Sequence, residues 1–220
     1  TQSHIDPGEG VARQATIRLP DGVRSVGELR FTITSDFHAQ VFERNNGAQA
    51  DNNNSASITR ASVLAAYGDL IVENLTLEPS SPESGQVITI EWEDANRGTA
   101  VVEENFYDRV RVVNTTTGAT LLDVWHHYAG GPIEVDAVAE RSYQFTLPDG
   151  PAAVGVLQIV INADVNGNVY EYVVGRDAEA NNQASINRTS TLAAYADLRV
   201  ENLAVTPADP VSGEFIHIAW

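Results

Sequence analysis

The run Asp164-Val165-Asn166-Gly167-Asn168-Val169-Tyr170-Glu171 holds the side chains of this sequence best suited to chemistry. Oxygen-bearing groups at Asp164, Asn166 and Asn168 alternate around a glycine, and a carboxylate follows at Glu171. Oxygen ligands in that order suit a hard cation such as calcium, and Glu179, Asn181 and Asn182 can complete a shell where the chain folds back. The spacing differs from an EF-hand loop, whose closing glutamate lies further along. Asp, Asn and Gly are equally the residues that build a hairpin turn with no ion at all. The matching run 128 residues earlier decides between these readings. It reads Asp36-Phe37-His38-Ala39-Gln40-Val41-Phe42-Glu43, so the outer carboxylates stay and the middle ligands are lost. A site needed by every copy would keep them. A plain turn is the favoured reading, with calcium at Asp164, Asn166, Asn168 and Glu171 as the alternative.

Other reactive groups carry less. His126 and His127 are adjacent on a strand pattern, so their side chains point to opposite faces and make a poor metal pair. Trp92 and Trp220 follow apolar residues at alternate positions, which favours a core role over a sugar platform. Glu103-Glu104 reads as solvated charge. No nucleophile elbow, phosphate-binding loop or zinc-protease helix occurs, and no Ser, His and Asp set assembles, so no catalytic residue is assigned.

The elements that position these groups come in copies. Leu19-Pro20-Asp21-Gly22 returns as Leu147-Pro148-Asp149-Gly150, Leu64-Ala65-Ala66-Tyr67 as Leu192-Ala193-Ala194-Tyr195, and Trp92 as Trp220, each 128 residues on. A domain-sized period means tandem modules rather than a solenoid. The repeat frame divides the chain into residues 1–66, the later part of one module and its connector; 67–190, a complete module; and 191–220, a connector and the first strands of a third. It predicts unpaired strand edges in the two partial modules and independent folding for Asp69 to Arg188.

Within a module the apolar pattern has period two. Leu29, Phe31 and Ile33 form an inward row, matched by Leu157, Ile159 and Ile161; Ile88, Ile90 and Trp92 form another, matched by Ile216, Ile218 and Trp220. Tyr143, Phe145 and Leu147 make a third, and Val110 and Val112 mark a fourth strand. Turn signals such as Pro82-Glu83-Ser84-Gly85 and Asn166-Gly167 separate the rows. No stretch carries a capped helical stripe. The fold class is all-β, a tandem of immunoglobulin-like antiparallel β-sandwiches. The stretch between Asn187 and Asp197 lacks Gly and Pro, so it holds neighbours close and predicts an extended rod.

The composition narrows the partners. Thirty Asp and Glu stand against 13 basic residues, all of them Arg, for a net charge of −17. Such a chain repels nucleic acid and anionic lipid, and no apolar run is long enough to span a bilayer, so neither nucleic acid nor membrane is expected to contact this segment. Cysteine is absent, so no disulfide reports a compartment.

In order, Gly68-Asp69-Leu70, Val72-Glu73-Asn74-Leu75, Asn96-Arg97-Gly98-Thr99-Ala100, Ala163-Asp164, Val169-Tyr170-Glu171 and Glu179-Ala180-Asn181-Asn182 resemble the CARDB domain, a cell-adhesion-related module of bacteria and archaea. The resemblance spans essentially the whole chain. It implies an immunoglobulin-like fold, secretion or cell-surface display in a large multidomain protein, and no catalytic residue to carry across; no cofactor is expected beyond the calcium alternative at the Asp164 loop. Glu171 and Glu179 stand eight residues apart, further than the family pattern; this predicts a longer hairpin over Tyr172 to Ala178 and argues against one shared site. The function expected is that of a non-catalytic spacer or adhesion-type stalk whose partners are its neighbouring repeats. The alternatives are a module that binds a cell-surface protein or glycan, with Tyr107, Trp125, Tyr128, Tyr170 and Tyr172 as the aromatic residues to inspect, and an accessory domain of an extracellular hydrolase.

Overall fold

The computed structural model describes residues 5–44, 47, 50–175 and 178–220. Two strands, β1 (Gly27–Thr34) and β2 (Ser55–Ser62), come first as an antiparallel pair. Seven follow: β3 (Leu70–Glu78), β4 (Val87–Asn96), β5 (Phe106–Asn114), β6 (Ala119–Tyr128), β7 (Val138–Thr146), β8 (Gly155–Asn162) and β9 (Gln183–Ser190). A last pair, β10 (Ala204–Thr206) and β11 (His217–Ala219), is also antiparallel.

The seven middle strands form two sheets, one ordered β3-β4-β7 and the other β6-β5-β8-β9. All their neighbours are antiparallel, and the strand order gives the immunoglobulin-like sandwich that the alternating pattern predicts. Val72, Leu77, Ile88, Ile90 and Trp92 from the first sheet close on Val110, Val112, Leu157, Ile159 and Ile161 from the second. Each such side chain, fully removed from water, contributes about 1.5–3 kcal/mol. Period-two alternation sends the residues of β4, β5 and β8 to one face, where a one-residue slip would turn them outward, and a register shift between Glu73 and Thr76 lets Val72 and Leu77, five apart on β3, share that face.

A smaller cluster of Leu70, Val102, Phe106, Tyr128, Ile133 and Val169 seals one end of the sandwich. The rings of Phe106 and Tyr128 stack there with centroids 4.8 Å apart. His126 is half-buried and His127 exposed, on opposite faces of β6 as the alternation requires.

The partial repeats pair but stay open. Ile33 is 72% exposed, and Ile216, Ile218 and Trp220 are exposed too, so the inward rows expected there are not buried among the described residues. The reason is physical: a two-stranded ribbon has no facing layer to exclude water.

Candidate functional site

The turn after β8 is built by Asp164. Its backbone is left-handed (φ 42°), its carbonyl accepts from Gly167 N at 2.8 Å, and its carboxylate oxygens accept from Asn168 N (2.9 Å) and Val169 N (2.8 Å). Burial pushes the Asp164 carboxyl up from its ordinary range, while those two amides pull it back. The side chains of Asn166 and Asn168 lie in exposed positions. Glu171 has different partners: it accepts from Leu70 N at 2.8 Å and from Asn182 Nδ2 at 3.1 Å. The structure therefore engages Asp164 and Glu171 separately.

Glu171 and Glu179, expected to stand apart, meet through one amide. Asn182 Nδ2 donates to Glu171 Oε1 and also to Glu179 Oε2 at 3.3 Å. A short 3-10 turn at Ala178–Asn181 leads into β9 and places Glu179 beside Asn182; residues 176 and 177 of the expected hairpin lie outside the described residues. Asn181 Nδ2 donates to the buried Asp69 at 3.1 Å, so the opening and closing signatures of the module converge on one pole. Burial first, then the hydrogen bond from Leu70 that opposes it and the charge of Glu179, leave the Glu171 carboxyl up at about 8. Among the described residues no group of three or more His, Asp or Glu is placed to hold a metal ion.

The same pole receives the connector. Tyr67 O accepts from Thr99 N (2.7 Å) and Ala100 N (3.0 Å), and Asp69 O accepts from Arg97 N at 2.8 Å. Asn96 holds this hairpin in shape by donating to Ala100 O and Ile133 O. Glycine is required at position 98, where a Cβ would lie 2.4 Å from Tyr67 O. At its other end Tyr67 reaches the preceding repeat: its hydroxyl accepts from Gly22 N at 2.8 Å. Tyr170 and Tyr172 pack edge-on against the Tyr67 ring, with centroids 5.1 and 5.9 Å away. Gly22 is left-handed (φ 72°), and a Cβ there would meet Tyr170 Oη at 2.7 Å.

The second copy repeats the bond. Tyr195 Oη accepts from Gly150 N at 2.7 Å, and it shares a hydrogen bond with Ser84 Oγ at 2.8 Å. Ala193 N donates to the same Ser84 Oγ, and Thr191 pairs with Pro82 and Ser84 through its backbone. Each connector tyrosine is thus tied to the Pro-Asp-Gly turn of the module before it.

Sequence reasoning missed a charged group inside the sandwich. Arg141 on β7 lies between Asp94 on β4 and Asp108 on β5, with Nε 3.2 Å from Asp94 Oδ2 and Nη2 2.9 Å from Asp108 Oδ2. Both carboxyls are fully buried. The guanidinium also donates to His126 O and lies over the rings of Trp92 and Tyr128. Burial, reinforced by the charge of Asp108, pushes Asp94 up to about 9; burial raises Asp108 as well. One guanidinium against two carboxyls balances when the pair shares one proton, which the burial of both favours. The signal was available: all three residues sit at inward positions of their strands.

No protein-family profile matches the chain, and no curated protein matches it. Among solved structures it is similar to the CARDB domain of a Pyrococcus furiosus protein, crystallised in complex with di-metal ions. The identity is 18%, with 60% of this chain and 100% of that one covered and a TM-score of 0.40. The solution structure of the same Pyrococcus furiosus domain gives 18% identity, 59% and 100% coverage and a TM-score of 0.42.

Proposed function

We infer that the chain is a run of non-catalytic immunoglobulin-like modules that act as a spacer, with residues 67–190 as one complete unit and the adjoining repeats as its partners. The observation that carries this reading is the double anchoring of Tyr67. Its hydroxyl is bonded to the turn at Gly22 of one repeat and its carbonyl to Thr99 and Ala100 of the next. A connector tied at both ends transmits orientation, which a stalk needs and a loose tether lacks. That Tyr195 makes the equivalent bond argues that the joint belongs to the repeat itself.

The non-catalytic part of the reading is supported by where the perturbed carboxyls lie. Asp94 and Asp108 are sealed from solvent beneath Arg141, so no substrate reaches them. The acidic surface and the CARDB-like signatures favour a secreted or cell-surface setting.

The chain has no cysteine, so a pair of spin labels can be placed cleanly at Thr59→Cys on β2 and Ser185→Cys on β9. A single narrow distance distribution is expected, and Tyr67→Phe should broaden it. A broad distribution in the parent chain would sink the spacer reading.

A further inference from the structure

The two outer faces of the sandwich differ sharply in chemistry. On the β3-β4-β7 sheet, Glu73 sits opposite Glu93, which sits opposite Glu140, and Glu91 lies two residues along β4. Arg97 neutralises Glu73 through two hydrogen bonds, which leaves the remaining carboxylates around an open groove of about 550 Å³. On the other sheet, the outward positions of β5 are Tyr107, Arg109 and Arg111, paired across to His127, Trp125 and Asp123 of β6. That strip holds two arginines and one carboxylate on a chain whose net charge is −17.

The strip is also preorganised. Arg109 grips Asp123 with two hydrogen bonds of 2.7 Å each and lies over the Trp125 ring, 5.5 Å from its centroid. Tyr107 and His127 pack at a tilt of 31° with centroids 4.5 Å apart. Yet Trp125 remains 54% exposed and Tyr107 38% exposed. Arg111 stands 3.8 Å from Asp123, beyond a hydrogen bond, so its donors are uncommitted to that carboxylate. Further along the ladder from Arg109, Asn162 and Gln183 add a second planar polar pair, bonded at 3.0 Å.

We propose that this face binds an acidic polysaccharide, a chain of pyranose rings that carry carboxylates. Flat rings spaced along a β-sheet present π-faces to the C–H faces of sugars. The Arg109–Asp123 fork and the Asn162–Gln183 pair offer donors and acceptors in planes that match neighbouring hydroxyls. Arg111 supplies the charge that a carboxylate needs. The central row is Arg109 beside Trp125, with Tyr107 and His127 on one side and Arg111 and Asp123 on the other, so polar and charged groups run the length of the strip instead of ringing an apolar centre. The inference goes beyond the spacer reading and can fail independently of it.

The test is calorimetric titration of the full 220-residue chain with a galacturonic acid hexasaccharide and with cellohexaose as the neutral control. The acidic sugar should bind more tightly, and added salt should weaken it. Trp125→Ala should reduce its affinity by about tenfold or more, the scale of losing an anchor tryptophan. Arg111→Gln should abolish the preference over cellohexaose. Both variants should melt with the parent chain and keep its label-to-label distance. Equal affinity for the two sugars, no binding of either at millimolar concentration, or binding that survives Trp125→Ala would each overturn the proposal. So would self-association through this face, seen as a concentration-dependent mass that Trp125→Ala removes.

Discussion

The β1–β2 hairpin and the β8–β9 hairpin are the same local structure in two environments. Gly27 pairs with Ser62 and Gly155 with Ser190, and every later pair keeps the 128-residue offset. Each hairpin is preceded by a 3-10 turn, at Gly22–Ser25 and Gly150–Ala153. In each, the aspartate after the first strand is left-handed at φ 42° and caps two backbone amides, Gln40 and Val41 for Asp36, and Asn168 and Val169 for Asp164. Burial is what differs. Leu157, Ile159 and Ile161 are fully buried under the β3-β4-β7 sheet, whereas Leu29 and Phe31 are half-covered and Ile33 is exposed. Turn chemistry and register are written within the hairpin; its stability comes from the layer across from it.

Core truncation should separate the two copies most widely. Ile159→Ala removes a side chain packed between the sheets and should cost about 2–5 kcal/mol. Phe31→Ala, at the equivalent position, should change the main unfolding transition by less than about 1 kcal/mol. Urea unfolding of the full chain, followed by the emission of the buried Trp92, measures both. Equal losses would mean that β1–β2 shares the core and that the contrast is false.

The pH dependence of that transition sharpens the same contrast, because the buried carboxyls stand only where two sheets meet among the described residues. Asp94, ordinarily near 3.8, is held at about 9, chiefly by burial; Glu171, ordinarily near 4.5, is held at about 8 for the same reason. Each binds a proton in the folded state that the unfolded chain has released. Their contribution is therefore complete below the unfolded values and is lost as pH rises toward 8 and 9. Asp108, Arg141, His126 and Tyr128 face Asp94; His126, lowered by burial, opposes this trend only at lower pH, where the unfolded imidazole is protonated. Melting followed by circular dichroism should thus fall from pH 7 to pH 9. Asp94→Asn should flatten the slope and leave the part due to Glu171. A midpoint that climbs across this window would refute the assignment.

Strand alternation made the sandwich legible, because Ile88, Ile90 and Trp92, or Leu157, Ile159 and Ile161, obey period two without exception. The connector tyrosine was visible as a repeated residue, but its bond to Gly22 spans 45 positions and has no local signal. The pole was harder still, since Asp69 meets Asn181 across 112 residues. Spacing along the chain argued that Glu171 and Glu179 stay apart; the turn at Ala178–Asn181 places Glu179 beside Asn182, which Glu171 also meets. Asp94, Asp108 and Arg141 were overlooked because charged residues on a strand read as surface, although their parity places them inside. Charge at an inward position is the informative anomaly, since burying it unpaired costs several kcal/mol.

The smallest expected difference concerns the two capping aspartates, and it bears directly on what the Asp164 loop is for. Asp36→Ala and Asp164→Ala delete the same pair of backbone hydrogen bonds. At Asp36 the freed amides belong to exposed Gln40 and Val41, so water replaces the carboxylate and the change should stay within about 0.5 kcal/mol. At Asp164 one freed amide belongs to buried Val169, and an unsatisfied N–H there should cost about 1–3 kcal/mol. Asp164→Asn keeps an acceptor and tolerates the left-handed backbone, so it should recover part of the loss. A carboxylate that serves as a turn cap gives the same loss in calcium as in chelator. A loss that grows with calcium would instead mean that Asp164 also meets a cation, and the two loops would then differ in chemistry as well as in burial.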